Sequence, residues 1–319
     1  MKLYAAPLQG ITTCVYRRTH AALFGGIDRY YTPFISPAAE HILTEREKKD
    51  LLPERNTGIS VVPQVMTKRA EDLLWAAEAL AEMGYREVNL NLGCPSGTVT
   101  AKGKGAGFLA DPEGLARFFD AAFAGTPPVP ISVKTRLGMR DPGEFERILT
   151  VYQQYPIAEL TVHPRVQKDF YKLPVRMDAF AAILPEIRLP LCYNGDLVTV
   201  EDVTGLRTRF PQVETLMLGR GLIADPALPR KLRGGVAASR EELERFTETL
   251  YAAYCALYGA EGPAAQRMKE LWYYLIHLFD GGEKYAKKMR RVSHPAEYQR
   301  LERGIFQELS LRSSAEGPL

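Results

Sequence analysis

The chain has 319 residues, 46% of them hydrophobic, enough to bury a sizeable core in one large domain with an appendage or in two ordinary domains. A net charge of +3 and an isoelectric point near 8.5 exclude nucleic-acid binding by bulk charge, so any contact with RNA is local. No apolar run suits a bilayer, no signal-peptide pattern opens the chain, and Cys14, Cys94, Cys192 and Cys255 are too scattered for a zinc site or a disulfide framework, which points to a reduced cytoplasmic protein.

Eight stretches have strand composition: residues 2–6, 29–35, 59–66, 87–92, 130–136, 159–163, 190–194 and 215–219. Helical periodicity fills the intervals. Residues 68–83 predict a helix opened by Thr67 and closed by Gly84, and residues 112–123 one opened by Asp111. Eight βα units within residues 1–235 predict a (β/α)8 TIM barrel. The rival, a doubly wound open sheet, calls for a nucleotide-binding glycine fingerprint after its first strand, and Ala5-Ala-Pro-Leu-Gln-Gly10 is not that motif.

After Gly234-Gly235 the strands vanish. Helical segments at 240–258, 263–279, 283–291 and about 295–309 predict a separate all-helical domain over residues 236–319. Within it, Lys284, Lys287, Lys288, Arg290 and Arg291 crowd into eight positions, either as a solvated helix face or as a patch that contacts phosphates. Residues 313–319 have the composition of a frayed tail.

In barrels of this kind chemistry sits where strands end and βα loops begin. Polar residues gather there in this chain: Gln64, Asn91, Cys94, Lys134, Arg136, His163, Arg165, Asn194-Gly195-Asp196 and Gly219-Arg220-Gly221. Asn89 and Asn91 share one face of the fourth strand, where unpaired amides would cost ~1–3 kcal/mol each. Neighbouring backbone could satisfy them, or a flat, many-edged ligand such as a flavin or nucleobase. Lys134 shares a face with Ser132 and Arg136, so it projects toward the barrel mouth and needs an electron-rich partner; a Schiff-base lysine is the alternative. Glycines beside Arg220 suit a phosphate, at the loops where this fold usually binds one. The segment Lys102-Gly-Lys-Gly-Ala-Gly107 suggests a mobile loop that carries Cys94 toward a substrate. Cys14, Cys192 and Cys255 lie in helix or strand patterns and read as small core residues.

These motifs resemble those of the tRNA-dihydrouridine synthase family along nearly the whole chain. Ala6-Pro-Leu-Gln-Gly10 is similar to the family's opening Ala-Pro-Met-x-Gly, and Asn91-Leu-Gly-Cys-Pro-Ser96 with Val99 and Gly103-Lys-Gly-Ala-Gly107 to its central block. Lys134-Thr-Arg-Leu-Gly138, Asn194-Gly-Asp196 and Gly219-Arg-Gly221 follow in the family's order. His163-Pro-Arg165 departs from the usual His-Gly-Arg-Thr, and residues 265–274 match the family's Arg-Lys-His-x-x-Trp-Tyr stretch only loosely.

The resemblance implies FMN across the barrel mouth, with Pro7, Leu8 and Gln9 beneath the ring and Gln64 and Lys134 at its polar edge. His163, Asn194, Gly195, Asp196, Gly219 and Arg220 would surround the ribityl chain and phosphate. It further implies that NADPH reduces the flavin, that flavin N5 gives hydride to C6 of an extruded uridine, and that Cys94 protonates C5. Asn91, Arg136 and Arg165 would meet the base, and Lys287, Lys288, Arg290 and Arg291 would hold tRNA from the helical side. No membrane and no obligate protein partner are expected. Two other readings stay open on the residues: an FMN barrel acting on a free pyrimidine, in the manner of a dihydroorotate or dihydropyrimidine dehydrogenase, and a non-catalytic RNA-binding barrel.

Overall fold

A computed structural model describes residues 1–317. Its strands are β1 (Lys2–Ala5), β2 (Arg29–Tyr31), β3 (Val61–Val62), β4 (Gln64–Val65), β5 (Val88–Leu92), β6 (Ile131–Arg136), β7 (Leu160–His163), β8 (Leu191–Asn194) and β9 (Thr215–Leu218). All pair in parallel, in the order β3-β2-β1-β9-β8-β7-β6-β5-β4. β3 and β4 are halves of one predicted strand, interrupted at Pro63, which has no N–H to give to a ladder. Its carbonyl still accepts from Asn89 N at 2.9 Å, so the circle closes through it and the predicted barrel is present. The second strand is shorter than expected, because Pro33 follows Tyr31 closely; Ile35 rejoins the sheet only as an isolated bridge to Val65.

The intervals hold α1 (Cys14–Leu23), α2 (Glu45–Leu51), α3 (Ala70–Glu82), α4 (Gly97–Thr100), α5 (Pro112–Ala122), α6 (Glu144–Tyr152), α7 (Met177–Ile183) and α8 (Val200–Arg209), with α9 (Arg220–Ala224) and α10 (Leu228–Leu232) after β9. Asp111 caps α5 as predicted, accepting from Gly114 N at 2.9 Å. Thr67 does not cap α3. Its hydroxyl accepts from Arg69 N and donates to Asp72 at 2.7 Å, which delays the helix to Ala70.

Strand side chains alternate, so Val88, Leu90 and Leu92 pack against the surrounding helices while Asn89 and Asn91 enter the barrel. The interior has an apolar cluster of Tyr4, Ala6, Tyr31, Val62, Cys192 and Met217 and a polar one that includes Gln64, Asn89, Asn91 and Ser132.

The helical region comprises α11 (Arg240–Tyr258), α12 (Glu261–Leu275), α13 (Glu283–Arg291) and α14 (Pro295–Glu308). α11 opens with a Ser239/Glu242 capping box and closes on Gly259 at φ +67°. The segment predicted at 263–279 starts two residues earlier and ends in a 3₁₀ turn, Ile276–Leu278. The core of this region is shared: Phe246, Leu250 and Trp272 pack with Tyr16 of α1 and Ile223 of α9. Cys14 and Cys192 are buried as expected, whereas Cys255 is only partly covered. The expected frayed tail is tied down where it is described. Leu311 bridges Phe279, Lys231 donates to Ser313 O and Ser314 Oγ, and Ala315 is buried; residues 318 and 319 lie outside the described residues. Among the described residues no helix is long and apolar enough to cross a membrane.

His20 of α1 ties β2 to the loop between α9 and α10. Pro226 O can only accept, so Nε2 carries the proton across 2.9 Å, and Nδ1 accepts from Tyr30 O–H at 2.8 Å. Burial pushes its pKa down to about 4, from 6.5. The unfolded chain therefore takes up a proton at pH 6.5 that the folded one refuses until pH 4, and stability falls through that window on acidification. In urea titrations at pH 7 and 4.5, His20→Gln should lose less stability on acidification than the parent, by roughly 2–3 kcal/mol. Equal losses would show that His20 is not the acid-sensitive group.

Candidate active site

The carboxyl ends of the strands surround a cavity of about 400 Å³, a size suited to a small-molecule site. Asn91, Cys94, Lys134, His163, Asn194, Gly195, Asp196, Gly219 and Arg220, read from their strand-end positions, all line it, as do Pro7, Leu8 and Gln9, which the resemblance implied.

Cys94 is set in place by an amide relay inside the barrel. Asn89 Nδ2 donates to Ser132 Oγ (2.9 Å), Gln64 Nε2 donates to Asn89 Oδ1 (2.8 Å), and Asn91 Nδ2 donates to Gln64 Oε1 (2.7 Å). Asn91 Oδ1 then accepts from the backbone N–H groups of Gly93 and Cys94 at 3.0 and 2.9 Å. The two strand asparagines need no ligand to satisfy them. Gln64, expected at the polar edge of a bound ring, instead lies beneath the cavity floor with both ends of its amide occupied. The glycine-rich segment after Cys94 is packed into α4 and a 3₁₀ turn, Gly105–Ala110. A Cβ on Gly107 would meet Thr100 O at 2.6 Å and one on Gly105 would meet Cys94 O at 2.9 Å. These two glycines serve close approach.

Lys134 points into the same cavity. Among the described residues its ammonium has no hydrogen-bond or ion-pair partner, and burial, reinforced by the neighbouring Arg136 charge, lowers its pKa to about 8. An electron-rich or anionic ring edge at this point would supply the missing partner.

His163 is neutral, because burial and then the charges of Lys134, Arg136, Arg165 and Arg220 hold its pKa well below 6.5. Arg165 Nη1 donates to its Nε2 at 3.0 Å, so the ring hydrogen resides on Nδ1. Asp196, in the left-handed region at φ +47°, takes Arg165 Nη2 on one oxygen and Arg220 Nη2 on the other, at 2.5 and 2.7 Å. Its carboxylate orients guanidinium groups; it is not itself a partner for an anion. Arg165, expected to touch substrate, is buried in this knot, with Nε given to Leu173 O. Gly195 is required by its φ of +150° and by Val175, whose Cγ1 a Cβ would approach to 2.7 Å. Gly219 is different. A Cβ there would meet nothing closer than 3.7 Å, so protein packing leaves room beside Arg220 for a ligand.

Arg136 gives Nε to Gly93 O and Nη1 to Val166 O, both near 3 Å, and Nη2 lacks a hydrogen bond of normal geometry. Its guanidinium and that of Arg220 both lie over the Tyr171 ring, at 5.1 and 4.9 Å. Tyr171, Phe34, Tyr273 and Tyr274 line the cavity and were not foreseen. Phe34 lies next to the end of the predicted second strand, but the strand-end reading gathered polar residues only. The two α12 tyrosines fall within the matched stretch 265–274, but nothing in the sequence turns them to the mouth. Lys287, Lys288, Arg290 and Arg291 are exposed on α13, outside the cavity; Lys287 and Arg290 flank a separate groove that Tyr273 also borders.

A dihydrouridine synthase (Dus) family model matches residues 4–309. The tRNA-dihydrouridine(16) synthase of Pseudomonas putida is 31% identical over 248 residues, 76% of this chain and 75% of its own. That of Ralstonia nicotianae is 28% identical over 76% of each chain. Among solved structures, a 2-naphthoyl-CoA reductase complex superposes with a TM-score of 0.57 at 11% identity, over 73% of this chain and 50% of that one. An old yellow enzyme homologue from Zymomonas mobilis superposes at 0.54 and 12%, over 76% and 91%. At such identities the superpositions speak for the barrel alone. The family match spans every cavity residue from Ala6 to Tyr274, and on that match the chain belongs to the dihydrouridine synthase family.

Proposed function

We propose that this enzyme uses FMN and NADPH to reduce a specific uridine of tRNA to 5,6-dihydrouridine in the cytoplasm. The observation that carries the reading is the convergence of one thiol, Cys94, and one unpartnered ammonium, Lys134, on a single cavity at the barrel mouth. The residues fit the cofactor: Lys134 offers a cation to the ring edge, Pro7, Leu8 and Gln9 offer a floor, and the open space at Gly219 beside Arg220 suits its phosphate. His163 Nδ1–H and Asn194 are the proposed contacts to the ribityl chain. When bound, FMN reduced by NADPH supplies hydride from N5 to C6 of the uracil ring.

Cys94 S–H delivers the proton to C5. Its loop is held by the Asn91 carbonyl oxygen, which limits how far the sulfur strays from the reacting carbon. Arg136, through Nη2, and Tyr171 are the proposed readers of the extruded base, with Asn91 supporting the thiol loop. Residues 236–319 serve as the second RNA surface. Tyr273 and Tyr274 bring this region to the rim, and Lys287, Lys288, Arg290 and Arg291 bind backbone phosphates.

Cys94→Ala should bind FMN and be reduced by NADPH as the parent is, yet form dihydrouridine about 10²–10⁴-fold more slowly on matched tRNA. Full activity would remove the thiol from the mechanism. Reversing the charges of Lys287, Lys288, Arg290 and Arg291 should weaken tRNA binding. The slope of log affinity against log salt should also fall, by about one for each phosphate that α13 no longer neutralises. An unchanged slope in filter-binding titrations would return α13 to the role of a solvated face.

A further inference from the structure

Beside the mouth lies a second cavity, of about 520 Å³, most of whose lining has no part in the proposed function. Gln9 and Phe34 line both cavities, so the two adjoin. Its other walls come from α2 and from α11 and α12 across the cleft between barrel and helical region.

Formal charges in this wall cancel, but the cancellation is misleading. Glu47 accepts from Thr44 N and Ser36 N, Asp50 from Arg17 and Cys14 N, and Glu270 pairs with Arg267. Each carboxylate is thus committed to the protein. Arg46 and Lys49 are not: among the described residues neither side chain makes a hydrogen bond or ion pair, and both are exposed three residues apart on α2, hence on one helix face. Phe34 and Tyr258 supply aromatic surface, the Tyr258 ring lying parallel to Tyr254 at 5.9 Å. Gln9 and Gln266 supply amides.

An aromatic slot with amides and two adjacent uncommitted cations fits a nucleotide that ends in a phosphomonoester, which carries ~1.5–2 negative charges at neutral pH. A diester in an RNA chain carries one. We propose that this cavity binds the adenosine 2′-phosphate end of the dinucleotide reductant, with Arg46 and Lys49 on the 2′-phosphate, while its nicotinamide reaches the first cavity past Gln9 and Phe34. The inference rests on the proposed function for the identity of the reductant. It also makes Arg46 and Lys49 the determinants that favour NADPH over NADH.

The test is calorimetric titration of the flavin-loaded full chain with adenosine 2′,5′-bisphosphate, in the parent and in Arg46→Glu/Lys49→Glu. The parent should bind it at one site at least tenfold more tightly than 5′-AMP, and the variant should lose that preference. Both substitutions are on exposed positions, and uridine reduction by the dithionite-reduced variant should stay within twofold of the parent. Equal binding of the bisphosphate by parent and variant, or none by either, overturns the proposal. A loss of dithionite-driven uridine reduction with bisphosphate binding intact also overturns it, and assigns the cavity to the RNA chain. If the dithionite-reduced parent reduces no uridine while the bisphosphate still binds, the proposed function fails and the dinucleotide site stands.

Discussion

Amides buried inside a closed barrel cost free energy unless they are paired, and the arrangement at the mouth follows from how this chain pairs them. Ser132, Gln64, Asn89 and Asn91 hydrogen-bond one another across neighbouring strands, and the last acceptor in the relay is taken by the backbone of Gly93 and Cys94. Each of these amides left unpaired would cost ~1–3 kcal/mol. Satisfying them fixes the register of three adjacent strands and, at the end of the relay, the loop that carries the thiol. Polar residues that look like ligand contacts are in part the scaffold for one.

The opposite wall of the cavity depends on charge. Lys134, Arg136, Arg165 and Arg220 concentrate positive charge around His163, and a single carboxylate, Asp196, holds two of the guanidinium groups. Burial first, and then these neighbouring charges, keep His163 neutral. Lys134 is the one cation at the mouth left without protein partner among the described residues, and burial lowers its pKa toward the range in which an anionic ligand decides its charge.

The helical region is not an independent body resting on the barrel. Its core incorporates Tyr16 and Ile223, and Lys231 ties the carboxyl-terminal segment back to α10. This shared packing sets where α12 lies, and so brings Tyr273 and Tyr274 to the rim and creates the second cavity between α2 and α12.

The βα alternation, the strand-end polar residues and the family motifs were legible in the sequence because each depends on local periodicity or on residues adjacent in the chain. Pro63 did not prevent the barrel from being seen, since a bent strand keeps its composition. What the linear pattern could not distinguish was polar residues that line the cavity from polar residues that support them. Gln64 and Arg165 sit at strand ends like Lys134 and Cys94, yet one is consumed by Asn89 and Asn91 and the other by Asp196, His163 and Leu173. Gly105 and Gly107 likewise have the composition of a hinge and the geometry of a tight fit. Sequence by itself determined the barrel, the helical addition and the chemical types gathered at the mouth. Only the tertiary structure decided which of those groups remain free for a ligand, because hydrogen-bond capacity is taken up between residues far apart in the chain, and a donor or acceptor engaged there is closed to a ligand.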